Sequence, residues 1–186
     1  MKQIYLDNAA TTSVRPEVVE EMIKVLRADF GNPSSTYSVG RHSKALIENA
    51  RKSIAKQFNV SSSEIVFTSC GTEVNNWIIR SAVRDLGVKR IITTKIEHHC
   101  TLYSIQQMAK EYGTEIQYVN ILPNSEIDYN QLEELLKEDI PTLVSLMHVN
   151  NEVGTILDLK RVADLCIANK ALFHTDTVQS VGKVEI

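Results

Sequence analysis

The sequence predicts an α/β fold, a mainly parallel sheet with helices on both faces. Three observations carry this. Short apolar runs rich in Val, Ile and Phe recur along the chain: Ile4 to Leu6, Ile65 to Thr68, Arg90 to Thr94, Ile116 to Ile121, Leu143 to His148 and Ala171 to His174. Between them lie stretches whose apolar residues fall three and four apart, the spacing of a helix with one buried face. The two patterns alternate, as parallel strands joined by helical crossovers do. Right-handed crossovers then gather the C-terminal ends of the strands on one edge.

Taken in order, Ile4 to Leu6 reads as a first strand. Ser61-Ser62-Ser63 reads as a turn and the lead-in to a strand over Ile65 to Thr68. A small-residue turn, Ser69 to Glu73, then opens a helical pattern through Val74, Trp77 and Ile78. After the run at Arg90, the stripe Leu102, Ile105, Ala109 and Tyr112 predicts a helix. Asp128 with Gln131 resembles a capping box, and Asp158 stands where an N-cap belongs before the stripe Leu159, Val162, Ala163 and Cys166. Val184-Glu185-Ile186 reads as the beginning of a further element, so the chain is expected to be part of a longer protein. No internal repeat or linker-like segment interrupts the pattern.

Composition narrows the function. The chain has 186 residues, room for one domain or part of a larger one. Its formal net charge of -3 argues against nucleic acid as the main partner, because phosphate neutralisation needs clustered Lys and Arg. No apolar run approaches the ~18–20 residues of a membrane span. The first seven residues, Met1 to Asp7, lack the apolar core of a signal peptide. Cys70, Cys100 and Cys166 show no close metal spacing and cannot all pair, which suits a reducing cytoplasm.

The unusual polar residues fall just after the predicted strands, where open α/β sheets bind ligands. Gly71 and Thr72 sit at a helix start, whose free N–H groups and positive dipole end suit a phosphate; a plain N-cap is the alternative. His98 follows the run at Arg90. It can stack on a planar ring, shuttle a proton or cap the next helix. Asn150, Asn151 and Glu152 follow the run at Leu143, either as ligand donors or as a self-satisfied turn. Asp176 emerges from the last run. A carboxylate there needs a cation, several donors or neighbouring backbone. Gln179 lies three residues on. Together these groups match the handles of pyridoxal 5′-phosphate: phosphate at Gly71 and Thr72, ring under His98, pyridine nitrogen at Asp176, phenolic oxygen near Asn151 and Gln179. No Gly-x-Gly-x-x-Gly follows a strand, which weakens a dinucleotide-binding reading.

As an ordered set the motifs resemble the cysteine desulfurases. They are Tyr5-Leu6-Asp7-Asn8-Ala9-Ala10-Thr11-Thr12, Gly31-Asn32-Pro33-Ser34-Ser35 with Gly40-Arg41, Thr68 to Glu73, Glu97-His98, His148 to Gly154 and His174 to Lys183. The resemblance covers essentially the whole chain and is closer to the branch serving iron–sulfur cluster assembly and tRNA thiolation than to the selenocysteine-lyase-like branch. It implies a fold-type-I pyridoxal phosphate enzyme, a cytoplasmic homodimer that converts L-cysteine to L-alanine. The sulfur would leave as an enzyme persulfide for acceptor proteins such as a cluster scaffold.

By position, the resemblance gives Gly71 and Thr72 the phosphate turn. His98 becomes the ring-stacking and proton-transferring residue, and Asn151 a contact of cofactor and substrate. Asp176 becomes the partner of the pyridine nitrogen, and Gln179 a cofactor donor. Cys70 and His99-Cys100 depart from the usual residues. Residues 1–186 would be the N-terminal segment plus an incomplete cofactor-binding large domain, without the small C-terminal domain. The Schiff-base lysine and the persulfide cysteine would lie beyond Ile186, so this chain alone is expected to be inactive. The alternatives are another lyase or aminotransferase of the same fold, or a non-catalytic fragment.

Overall fold

The computed structural model describes residues 4–184. Glu185 and Ile186, where the sequence predicts a further element, lie outside them. The chain forms two compact units, divided between Phe67 and Thr68.

The first unit is helical. Helix α1 spans Pro16–Ala28 and α2 spans Ser38–Gln57, followed by a single 3-10 turn at Ser62–Glu64. Pro16 starts α1 where its missing N–H costs nothing. The loop before α2 touches the first turn of that helix backbone to backbone. A Cβ on Gly40 would stand 2.6 Å from the Asn32 carbonyl oxygen, and one on Gly31 would collide with the Val39 carbonyl. Glycine is required at both positions by this contact. From α2, Arg51 donates to the Ile65 carbonyl and lies over the Phe67 ring, 4.7 Å from its centroid.

Neither strand predicted in this unit forms. Ile4 to Leu6 and Ile65 to Phe67 are irregular, and Leu6 and Val66 are exposed. An apolar run supplies side chains for a sheet, but a strand also needs a neighbour for its backbone groups. Among the described residues of this unit no such partner is present. The Ser61 run forms a cap instead. The Ser61 side chain accepts from Ser63 N–H, and the Glu64 carboxylate accepts from Ser61 N–H at 2.8 Å.

The second unit is the predicted α/β sheet. Its order is α3 (Gly71–Arg84), β1 (Arg90–Thr93), α4 (His99–Tyr112), β2 (Glu115–Tyr118), α5 (Tyr129–Leu136), β3 (Thr142–Ser145), α6 (Leu159–Ala168) and β4 (Leu172–His174). The strands lie in the order β2-β1-β3-β4, and every pairing is parallel. Ile91 stands beside Ile116 and Leu143, and Ile92 beside Gln117 and Val144. Alternate residues feed opposite faces. Ile91 and Leu143 pack with Ile79, Ile105 and Met108 of α3 and α4. Ile92 and Val144 pack with Leu132, Leu136, Val162 and Cys166 of α5 and α6. Helices therefore cover both faces, and the central strands are buried throughout. Each fully buried Ile contributes roughly 1.5–3 kcal/mol by leaving water.

The predicted stripes and caps explain the helix bounds. Asp158 caps α6 by accepting from Arg161 N–H at 3.0 Å. Gly113 ends α4 with a left-handed φ of 67°. Asp128 caps α5 through Asn130 and Gln131 N–H, but the reciprocal half of the expected box is missing. Asp128 N–H already donates to the Asn120 carbonyl, and Gln131 Oε1 accepts from Asn120 N–H at 2.6 Å. The exposed end of β2 thus takes the acceptor that the box needed. The runs at Ile116 and Leu143 also leave the sheet early, at Tyr118 and Ser145, where loops take over.

Candidate functional site

Because all four strands run in parallel, the loops after β1, β3 and β4 share one edge. Backbone and side-chain bonds lock these loops together. The Glu97 carboxylate, after β1, accepts from Met147 N–H at 2.8 Å, and Asn150 Nδ2 donates to the Ile96 carbonyl at 2.8 Å. His148 N–H donates to the Asp176 carbonyl at 2.9 Å. Each link joins strand ends that the sequence alone leaves unconnected.

Asp176 follows β4 by two residues. Its Oδ1 accepts from Val178 N–H at 3.0 Å and its Oδ2 from Asn75 Nδ2 at 2.7 Å. Helix α3 brings that Asn in from the other side of the chain. Asn75 heads the buried stripe Asn75, Ile79, Ala82 and Val83. It is the residue that motif reading misses. Its signal was available, as a polar side chain at i on an otherwise apolar i, i+4, i+7, i+8 face. Asn75 also meets Thr101 and Cys100 of α4 and His174 of β4.

The first turn of α3 lies against the Asp176 loop. A Cβ added to Gly71 would stand 3.0 Å from Val178 Cγ2. Cys70 holds the N-cap position, but no side chain caps the helix. The N–H of Glu73 and the Ser69 hydroxyl facing its sulfur hold the Cys70 thiol below its ordinary value. The Glu73 carboxylate folds back onto Ser69, accepting from its N–H at 2.7 Å and its hydroxyl at 2.6 Å. Those two bonds lower the Glu73 carboxyl. They do not reach the leading amides of α3 at Gly71 and Thr72, and the Thr72 N–H, like that of Glu73, faces the Cys70 sulfur.

The chain belongs to the class-V aminotransferase family. The model of that family, described as aminotransferase class-V, matches residues 4–186. The cysteine desulfurase IscS of Methanosarcina thermophila is 42% identical over 188 residues, covering 100% of this chain and 46% of that protein. A solved NifS-like protein superposes with a TM-score of 0.92 at 40% identity, covering 98% of this chain and 51% of that one. A structure described as SspA in complex with cysteine gives 0.85 at 32% identity, covering 95% and 51%. The chain thus spans about half the length of these relatives.

Within this class-V scaffold the predicted site residues separate into two groups. Asp176, the α3 turn at Gly71 and Thr72, and His98 are linked through Asn75. Cys100 Sγ lies 3.4 Å from Asn75 Nδ2 and 2.9 Å from His98 Nδ1. His98 is exposed and caps α4 by accepting from Cys100 N–H at 3.2 Å. The capping alternative is therefore realised, and the ring remains open to solvent. Asn151 and Gln179 are half-buried in the same loops, and each bonds to a near neighbour in sequence. Asn151 Nδ2 donates to Glu152 Oε1 at 3.1 Å, and Gln179 Oε1 accepts from Lys183 Nζ at 3.0 Å. The turn after β3 engages both of the paired amides, Asn150 more fully than Asn151. Asn150 is buried, its Oδ1 accepting from the N–H groups of Glu152 and Val153.

Electrostatics mark the same edge. Burial pushes the Glu97 carboxyl up to about 7, against the lowering effect of its bonds to Thr94 and Met147. Burial lowers His174, with the Asp176 charge acting in the opposite sense, and lowers His148. His148 Nδ1 and Thr175 Oγ1, flanking Asp176, are buried without a hydrogen-bond partner. Such groups are costly unless a polar ligand or water meets them. The amides at the start of α3, a carboxylate and an exposed imidazole fit a small, anionic, ring-bearing ligand. Among the described residues no cluster of His, Cys, Asp and Glu is arranged to hold a metal, and no helix is long and apolar enough to cross a membrane.

Proposed function

We propose that this chain is the cofactor-holding part of a pyridoxal 5′-phosphate-dependent cysteine desulfurase. The reaction converts L-cysteine to L-alanine and passes the sulfur on as an enzyme persulfide. The observation that carries this reading is Asp176, a carboxylate fixed through both oxygens at the C-terminal end of a parallel strand, beside the N-terminus of α3. The relatives named cysteine desulfurase and the neighbour described with cysteine support the substrate.

Gly71 and Thr72 would receive the phosphate through their amides. Asp176 would hold a proton at the pyridine nitrogen, and His98 would offer its open imidazole to the ring and to a nearby proton. Asn151 and Gln179 would supply amide donors from the adjoining loops, Asn151 also toward the substrate. When bound, the cofactor draws electrons from the substrate's breaking bond into its protonated ring. Residues 1–186 would then be the N-terminal segment and part of the large domain, with the small domain, the Schiff-base lysine and the persulfide cysteine supplied by the rest of the protein. We place the enzyme in the cytoplasm as a homodimer serving a sulfur acceptor, such as a cluster scaffold or a tRNA-thiolation partner.

The test is Asp176→Ala in the complete protein. Alanine formation from L-cysteine should fall to background, because the ring loses the group that keeps it protonated. Near-normal alanine formation would overturn the assignment.

A further inference from the structure

We infer that Asn75 is the positioning residue of Asp176: its side-chain amide sets the orientation of the carboxylate on which the proposed cofactor site depends. The inference rests on the role given to Asp176 above and extends it to a residue that no site motif contains.

Asn75 is 2% exposed, and all its polar atoms are engaged. Nδ2 donates to Asp176 Oδ2 at 2.7 Å and faces Thr101 Oγ1 at 3.2 Å and Cys100 Sγ at 3.4 Å. Oδ1 lies 3.2 Å from His174 Nε2. An amide oxygen only accepts, so His174 carries its proton on Nε2. His174 Nδ1 then accepts from Ser145 Oγ, 2.9 Å away. The donors run in one direction, from Ser145 of β3 through His174 of β4 and Asn75 of α3 to Asp176. Turning the amide over would set its oxygen against the Asp176 carboxylate, and that contact fixes the orientation. With Val178 N–H on Oδ1, the carboxylate is held on both oxygens, and each oxygen keeps a further lone pair for a ligand.

The same helix presents Gly71. Gly71 and Asn75 are four residues apart, about 6 Å of helical rise. Helix α3 therefore sets both the phosphate turn and the carboxylate, and fixes the distance between the two ends of the ligand. An apolar residue at position 75 leaves a buried N–H of His174 unpaired and removes the bond that holds Asp176 Oδ2, leaving the carboxylate tied only by Val178 N–H at Oδ1.

The experiment compares the protein with Asn75→Leu and Asn75→Asp, after far-UV circular dichroism has shown each to be folded. The probe is pyridoxamine 5′-phosphate, which has the ring and phosphate but no aldehyde to react with surface lysines. Asn75→Leu should weaken binding about tenfold or more, as expected for losing a bond to a charged group. Asn75→Asp keeps the shape. Its new carboxyl faces Asp176, His174 and Cys100, with Glu97 nearby. Close carboxylates share a proton, so binding should be near normal at about pH 5.5 and tenfold weaker at about pH 8. A role confined to filling space would give no such pH dependence. Asn75→Leu binding within about threefold of wild type, or an Asn75→Asp deficit independent of pH, would overturn the inference.

A readout without cofactor separates this claim from the proposed function. Nitrogen-15 spectra should show His174 protonated on Nε2 in the wild type, and the Asp176 carboxyl carbon signal should move in Asn75→Leu. A wild-type protein that does not bind the probe would sink the cofactor reading while leaving these signals to decide the positioning role. A proton on His174 Nδ1, or an unmoved Asp176 signal, would overturn that role too.

Discussion

Replacing Glu97 with Gln should reshape the pH dependence of stability. Glu97 is 6% exposed and ties the end of β1 to the end of β3, accepting from Thr94 Oγ1 at 2.7 Å and Met147 N–H at 2.8 Å. Burial raises its carboxyl from an ordinary 4.5 to about 7. A group raised in the folded state contributes stability fully below its unfolded value and loses it as pH rises through the folded value. The wild type should therefore weaken, through this group, between about pH 4.5 and 7. Each tenfold change in an acid's ionisation constant is worth about 1.4 kcal/mol, so the penalty between about pH 5 and pH 8 comes to roughly 2–3 kcal/mol. Gln fits the same bonds. Its oxygen can accept from Met147 N–H and its amide can donate to Thr94 Oγ1 once that hydroxyl rotates. Urea titrations followed by Trp77, the single Trp of the chain and a residue of α3, report on the α/β unit. Glu97→Gln should gain about 2–3 kcal/mol relative to wild type on going from about pH 5 to pH 8. His148 and His174 titrate in both proteins, and their contribution cancels in the difference. A stability difference that stays constant with pH would refute the reasoning.

Two substitutions test the close backbone approaches. Gly71→Val places a branched side chain against Val178 and over the leading amides of α3, so affinity for pyridoxamine 5′-phosphate should fall about tenfold or more in a calorimetric titration; unchanged affinity would remove the phosphate turn from the site. Gly40→Ala drives a methyl group to 2.6 Å from the Asn32 carbonyl, and should cost the first unit about 1–3 kcal/mol, read as faster amide hydrogen exchange along α2.

The α/β class was legible because its physics is local. The stripes of α4 and α6, and the caps at Asp128 and Asp158, depend on residues within a turn or two. The two failed strands show the limit. Ile65 to Phe67 are as apolar as β1, but strand formation depends on a partner distant in sequence, and periodicity carries no information about that partner. The site followed the same rule. Asp176 and the α3 turn stood out by their position after or before a regular element. Asn75 did not, because its meaning comes from Asp176, 101 residues away. Glu97 sat inside a recognised motif, yet its bond to Met147 becomes visible only when β1 and β3 lie side by side.

The central claim is that one sheet edge, from the α3 turn to Asp176, takes a pyridoxal-type cofactor. The direct measurement is a titration of isotope-labelled protein with pyridoxamine 5′-phosphate, followed residue by residue by nuclear magnetic resonance. The expected result is a single saturable binding event that shifts the amides of Gly71, Thr72, His98, Asn151 and Gln179 together with the Asp176 carboxyl. No saturable shift at Gly71 and Asp176, or shifts confined to exposed lysines, would contradict it.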